Sequence, residues 1–356
     1  MPQNIRLNIN IFGLRGAVFI MATPQITKKV RSVFMKTAFL FSGQGAQYVG
    51  MGKELYDNFD CAKKIFDDAD RVLGFSISDI CFNNETELNK TENTQPAILT
   101  MSIAALRVLE EKGIHADYAA GLSLGEYSAL VASGAFDFEE TVQLVKKRGR
   151  FMTEAVPEGV GSMYAIMGLE AEAVEQACKE AEEYGYVSPA NYNAPGQIVI
   201  AGVAEAAEKA AAICKEKGAK MAIKLNVTGP FHTALLKPAS DKLAVELEKI
   251  NIKNMDIPVL TNVTGNEIEN NEDIVPLLIK QVMSPVKWEH IIRNLADKGV
   301  DTFIEVGPGK TLSGFVKRIA KGSVILNVED LKSLDKTLDK IYMHIYPNAF
   351  SNSKIC

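Results

Sequence analysis

The chain has few of the residues that build metal centres and disulfide frameworks. Among 356 residues there are five cysteines, four histidines and a single tryptophan. Cys61, Cys81, Cys178, Cys214 and Cys356 are odd in number and scattered, with no Cys-x-x-Cys. Such a set reads as reduced thiols in a cytoplasmic protein, not as a disulfide framework or a zinc site. No histidine stands at metal-ligand spacing from another His or Cys, so no metal site is expected. No apolar run reaches the roughly 18 residues that a membrane helix needs, so no membrane partner is expected either. A basic excess is also missing. Lys plus Arg number 39 against 44 Asp plus Glu, a formal charge of −5, which argues against non-specific nucleic-acid binding. Twenty-six glycines and 13 prolines are too few for collagen or a low-complexity chain. What remains is 47% hydrophobic and 23% charged, with mean hydropathy near zero. That is an ordinary soluble composition, in a chain long enough for a full core.

The two ends stand apart. Residues 1–34 carry Arg6, Arg15, Lys28, Lys29 and Arg31 but no Asp or Glu, the acid-poor look of a transit peptide. The apolar stretch 9–22 is interrupted by Arg15 and lacks a convincing small-residue cleavage site. It reads instead as an upstream extension outside the native fold, with Met35 as the working start. The run 342–356 lacks periodicity and reads as a frayed tail.

Between the ends, strand-like and helical patterns alternate. Residues 37–42 form a short buried-strand run ending at Gly43-Gln-Gly45, and 51–73 carry helical spacing. Residues 96–112 read as a helix that opens on Pro96 and closes on Gly113. A strand over 117–122 leads to helices at 124–133 and 137–155. Further strands at 257–261, 302–306 and 324–328 are separated by helical stretches. This alternation predicts an α/β fold with a largely parallel sheet. The middle has its own order: strand 162–167, helix 170–184, strands 187–193 and 197–201 about the turn Ala194-Pro-Gly196, helix 204–217, strand 220–225. That β-α-β-β-α-β order predicts an inserted ferredoxin-like subdomain. The boundaries follow: core over 35–158 and 228–341, small subdomain over 159–227, tail over 342–356.

The strongest chemical signal is Gly121-Leu-Ser-Leu-Gly125, a G-x-S-x-G between an apolar strand and a helix. The spacing suits a strained strand-to-helix turn that holds Ser123 clear of the backbone, with the helix N-terminus aimed at the reacting centre. A serine nucleophile needs a base. Of the four histidines, His344 lies in the tail, His290 on a polar helix side and His115 at a helix end. His232, after a turn and at the start of a helix over 233–249, leads. No acid lies near it in sequence except Asp241, although a fold can supply one from elsewhere. Gly43-Gln-Gly45 has no third glycine of a dinucleotide fingerprint, and no Walker A motif is present. Gln44 between glycines at a strand end could act as a donor. The cluster Lys146-Lys-Arg-Gly-Arg150 reads as a solvated helix face, with Arg148 set apart only if a substrate anion must be bound.

These residues occur as a set. Phe41-Ser-Gly-Gln-Gly45, Gly121-Leu-Ser-Leu-Gly-Glu-Tyr-Ser128, Lys147-Arg-Gly-Arg150, Gly229-Pro-Phe-His232, Gln281-Val-Met-Ser-Pro-Val-Lys-Trp288 and Glu305-Val-Gly-Pro-Gly309 resemble, in order, the malonyl-CoA:acyl carrier protein transacylases of bacterial type II fatty-acid synthesis. The resemblance spans about 36–340. It implies an α/β-hydrolase-like core with a ferredoxin-like subdomain, and transfer of malonyl from malonyl-CoA to the phosphopantetheine thiol of acyl carrier protein. By position it implies Ser123 as nucleophile, His232 as base and Gln281 as the residue whose backbone carbonyl orients it. It also implies an oxyanion hole from the N–H groups of Gln44 and Leu124, Arg148 as partner of the malonyl carboxylate, and Phe231 as a malonyl-selecting neighbour. No cofactor or metal is implied, and the partners are malonyl-CoA and the carrier, with the chain acting as a monomer. A serine esterase or thioesterase, a polyketide-type acyltransferase and a non-catalytic carrier-binding module are the alternatives. One departure stands out: many members have His before the nucleophile, and this chain has Leu122.

Overall fold

The computed structural model describes residues 11–14, 17–20, 35–157, 159–227 and 229–345. Within the N-terminal extension, β1 (Ile11–Leu14) and β2 (Ala17–Ile20) pair antiparallel with each other. The rest of 1–34 and residues 346–356 lie outside the described residues, and with them the expectations for those stretches. The expected tail begins too early: residues 342–345 are the last turn of helix Leu331–Ile345, where the Tyr342 hydroxyl donates to Lys112 O (3.1 Å).

The core is a five-stranded sheet built from β3 (Thr37–Phe41), β4 (Tyr118–Gly121), β9 (Val259–Leu260), β10 (Thr302–Val306) and β11 (Val324–Val328). Its order is β11-β10-β3-β4-β9 and every neighbouring pair is parallel. Helices cover both faces, so central β3 is buried at all five positions. Its side chains alternate between two apolar clusters. Phe39 and Phe41 join the larger one, and Ala38 and Leu40 join the one containing Trp288, Ile291 and Phe315. A buried parallel strand therefore reads as a continuous apolar run.

The parallel topology has a functional consequence. Ligands gather at the carboxyl ends of such strands, and β3, β4 and β9 are adjacent there. Their next residues deliver Gln44, Ser123 and Asn262 to one edge of the sheet.

The small subdomain holds β5 (Gly161–Met167), β6 (Val187–Ala194), β7 (Gln197–Val203) and β8 (Met221–Lys224) in an antiparallel sheet of order β6-β7-β5-β8. Helices Ala171–Glu180 and Ala204–Glu216 bury a separate apolar cluster against it. This is the ferredoxin-like strand order. It joins the core where Tyr192 N–H donates to Val286 O (2.9 Å) and Val286 N–H to Ala190 O (2.8 Å).

Several boundaries differ from the sequence expectation. The helix over 51–73 is two helices, Lys53–Asn58 and Asp60–Leu73, because Asn58 Nδ2 donates to Glu54 O (2.8 Å) and Phe59 turns extended. Pro96 does not open its helix. The helix starts at Thr91, because the N–H groups of Asn93 and Thr94 both reach Lys90 O (2.8 Å each) and Thr94 Oγ1 caps Leu88 O. The helix over 170–184 stops at Glu180 and continues as a 3-10 turn over Glu182–Tyr184. The one expected over 233–249 is a 3-10 turn, Ala234–Leu236, followed by helix Lys237–Leu247 with Pro238 in its first turn.

Candidate active site

Among the described residues, two that are not glycine have a positive φ: Ser123 at 55° and His232 at 61°. Such strain costs on the order of 1–3 kcal/mol per residue and persists only where the surroundings enforce it. The turn around Ser123 is enforced by close packing. A Cβ on Gly121 would lie 1.9 Å from the Gly125 carbonyl carbon, and one on Gly125 would lie 2.1 Å from Phe41 O. Both glycines of the motif are therefore required by contact: the end of β4, the nucleophile helix Gly125–Ala132 and the end of β3 touch backbone to backbone.

His232 is buried at 4% exposure, and its Nε2 lies 2.7 Å from Ser123 Oγ. Its Nδ1 lies 3.0 Å from the Gln281 carbonyl oxygen. A carbonyl only accepts, so Nδ1 carries the hydrogen and Nε2 offers a lone pair to the serine hydroxyl. Burial, then the nearby Arg148 charge, pulls the imidazole pKa from 6.5 down to about 4, against a smaller lift from the Gln281 carbonyl. A base with a lowered pKa stays neutral further into acid. The acid limb of kcat/KM for acylation is expected near pH 4 rather than at the ordinary value of about 6.5. A pH–rate profile checks this, and a limb at the ordinary value would contradict the buried, cation-facing setting.

Arg148 sits on helix Phe138–Ala155 and is 1% exposed. The helix-face reading fails for it, though it holds for Lys147 and Arg150, which pair with Glu246 and Glu154 at the surface. Its Nη1 donates to Gln95 Oε1 (2.8 Å), and its Nη2 donates to Gln281 Oε1 (3.0 Å) and Ser123 Oγ (3.2 Å). Nε has no partner among the described residues, and the guanidinium lies 5.3 Å from the Tyr127 ring centroid. Burial works against this charge and lowers its pKa. A desolvated cation with an unused donor beside a nucleophile is a place for an anionic group.

Gln44 follows β3, and its Nε2 donates to Thr91 Oγ1 (3.1 Å). A Cβ on neighbouring Gly43 would lie 2.5 Å from Leu122 O, so this loop rests directly on the nucleophile turn. Among the described residues neither the Gln44 N–H nor the Leu124 N–H has a protein acceptor. Phe231 is buried in the main apolar cluster, next to the histidine. Leu122 is half-buried against the second cluster. His115 and His290 are exposed, and the side chain of His344 lies outside the described residues.

Comparison with known proteins bears on the geometry. The family model for the acyl transferase domain matches residues 38–335. Malonyl CoA-acyl carrier protein transacylase of Bacillus subtilis is 49% identical over 308 residues, which is 86% of this chain and 97% of that one. The Escherichia coli K12 enzyme of the same name is 48% identical over 284 residues, 79% of this chain and 92% of that one. The chain belongs to the malonyl CoA-acyl carrier protein transacylases. Solved transacylases share its fold. The Clostridium perfringens structure has a TM-score of 0.84 at 52% identity, over 86% of this chain and 97% of that one. A malonyl-transacylase in complex with its type II PKS acyl-carrier protein has a TM-score of 0.84 at 44% identity, over 86% and 99%.

Three residues of this transacylase site escaped the sequence reading. Asn262 Oδ1 accepts the Ser123 N–H (2.6 Å), and its Nδ2 donates to Gly121 O (2.7 Å). Glu126 is fully buried one turn after the nucleophile. Gln95 supports Arg148. A signal existed for Glu126, a lone carboxylate in the otherwise uncharged helix Gly125–Ala132. Asn262 followed a strand end, where polar residues are common, and nothing separated Gln95 from an ordinary pre-proline residue.

Proposed function

We propose that the chain transfers malonyl from malonyl-CoA to the phosphopantetheine thiol of an acyl carrier protein, by way of a malonyl ester on Ser123. The observation that carries this reading is the joint approach of His232 Nε2 and Arg148 Nη2 to one oxygen, Ser123 Oγ, at 2.7 and 3.2 Å. The imidazole supplies a base, and the guanidinium supplies a site for a carboxylate on the acyl group. An esterase for simple esters has no use for a buried cation at that oxygen.

The chemistry follows from the parts. Ser123 Oγ attacks the thioester carbonyl while its proton passes to His232 Nε2. The Gln281 carbonyl holds the resulting imidazolium through Nδ1–H. The oxyanion is met by the free N–H groups of Leu124 and Gln44, each such donor being worth on the order of 10²–10³ in rate. The C–S bond breaks, and the departing thiolate takes the proton from His232. The carrier thiol then repeats the sequence in reverse and releases the serine. One thioester is exchanged for another, so the step needs neither an energy source nor a cofactor. Phe231 fills the wall beside the histidine, where it favours malonyl over a branched acyl group.

One chain supplies every group named, so a monomer is the proposed working unit. The four described cysteines are free thiols, which suits a cytoplasmic setting, and among the described residues no helix is long and apolar enough to cross a membrane. Varying malonyl-CoA at several fixed concentrations of holo carrier is expected to give parallel double-reciprocal lines. Intersecting lines would mean direct transfer in a ternary complex, without a serine ester.

A further inference from the structure

The proposed chemistry leaves a buried carboxylate beside the nucleophile without a role. Glu126 is fully buried and touches no reacting atom. Its Oε2 accepts two N–H donors, from the Asn262 backbone (2.9 Å) and from Gln281 Nε2 (2.8 Å). Those two residues hold Ser123 by their side chains, while the Glu126 backbone N–H also donates to the Ser123 carbonyl (3.1 Å) whatever side chain stands at 126. Asn262 Oδ1 takes the Ser123 N–H (2.6 Å) and Gln281 Nε2 donates to the Ser123 carbonyl (3.0 Å). Both backbone groups of the strained serine are thus held by side-chain amides, and both amide residues are anchored on one carboxylate oxygen.

We propose that Glu126 is the positioning residue of this site: its Oε2 sets the orientation of the Gln281 amide and the place of Asn262, and through them the seat of Ser123 and the oxygen offered to Arg148. The two ends of a glutamine amide have nearly the same shape, so packing alone does not choose between them. Here chemistry chooses. Glu126 Oε2 and the Ser123 carbonyl only accept at one end, and the Arg148 guanidinium only donates at the other (Nη2 to Gln281 Oε1, 3.0 Å). A flipped amide would face oxygen to oxygen at two contacts and donor to donor at the third. Since Oε2 takes two N–H donors, it serves as an acceptor whether or not Oε1 carries a proton. Gln281 Oε1 also lets Arg148 be held by a neutral group, so its charge stays available. That last point rests on the proposed pairing of Arg148 with an acyl carboxylate, while the seating of Ser123 does not.

The test compares Glu126→Met, which removes the acceptor at similar length, with Glu126→Gln, which can place a carbonyl oxygen at the Oε2 position. Two readouts separate the two parts of the proposal. One is the labelling rate of Ser123 by a small neutral fluorophosphonate, and the other is the malonyl-CoA to acetyl-CoA ratio of kcat/KM. Glu126→Met is expected to lose roughly 10–100-fold in labelling, the cost of a misplaced reacting group, and about tenfold in the ratio. Glu126→Gln is expected to stay within about threefold of wild type in both, because a positioning role needs an acceptor and not a charge. A folded Glu126→Met with wild-type labelling overturns the proposal. So does Glu126→Gln with a tenfold loss, which would make Glu126 a counter-ion. Should Glu126→Met not fold, the Glu126→Gln result alone decides on the same criterion. A wild-type protein with no malonyl preference would instead sink the substrate reading, leaving the labelling comparison intact.

Discussion

Replacing Arg148 by alanine is expected to collapse the preference for malonyl-CoA over acetyl-CoA by two decades or more. The guanidinium is 1% exposed and held by Gln95 and Gln281, two neutral acceptors. Its charge therefore meets no direct anionic partner until an acyl carboxylate arrives. A planar fork grips a carboxylate through two parallel charge-assisted hydrogen bonds. With an acetyl group in place that bond pair is absent and the cation remains desolvated. Breaking a buried pair costs roughly 3–5 kcal/mol. At about 1.4 kcal/mol per tenfold that corresponds to roughly two to three and a half decades of discrimination. Gln95 and Gln281 stay bonded in both complexes, which favours the lower figure. Arg148→Lys keeps the charge but not the fork and is expected to recover part of the preference. The measurement is kcat/KM for both thioesters in wild type and the two variants. An unchanged ratio would remove Arg148 from substrate recognition.

His232→Ala is expected to slow both half-reactions by about 10²–10⁴, the usual contribution of a positioned general base. Both halves should suffer, because the same imidazole takes the serine proton on loading and the carrier thiol proton on unloading. CoA release in a single turnover reports the first half, and decay of the malonyl enzyme on adding holo carrier reports the second. The lowered basicity of His232 is part of this logic. A base kept neutral by burial and by Arg148 is ready at any neutral pH, and the Gln281 carbonyl then stabilises the imidazolium formed in the transition state. Loss in one half only would mean that a different group serves the other.

Much of the fold could be read from residue order. The parallel core strands are continuous apolar runs between helices, and the small subdomain announces itself by strands and helices in ferredoxin-like sequence. The elbow was legible because Gly121 and Gly125 are demanded by local backbone contact, a constraint that a short motif can record. Helix limits were less so. Pro96 looked like a start because its missing N–H suits a first turn, yet the buried polar run Thr91-Glu-Asn-Thr-Gln95 extends the helix ahead of it. The site was legible only as separate pieces. Ser123 and His232 stand 109 residues apart; local placement ranked His232 first of four histidines, and only the family resemblance paired it with the serine. Asn262 and Gln95 were invisible, and Glu126 was marked only by its lone charge, for a shared reason. Their role lies in holding other side chains across the sheet edge, and that relation has no spacing in the chain.

The central claim is a malonyl ester on Ser123, and intact-mass measurement tests it most directly. The protein is incubated with malonyl-CoA, without carrier, in wild type and Ser123→Ala. Wild type is expected to gain a single malonyl group that maps to the peptide containing Ser123 and is discharged by holo carrier, and Ser123→Ala is expected to gain none. A malonyl adduct on Ser123→Ala at the wild-type rate, or wild-type transfer to the carrier with no adduct at any stage, would contradict the account.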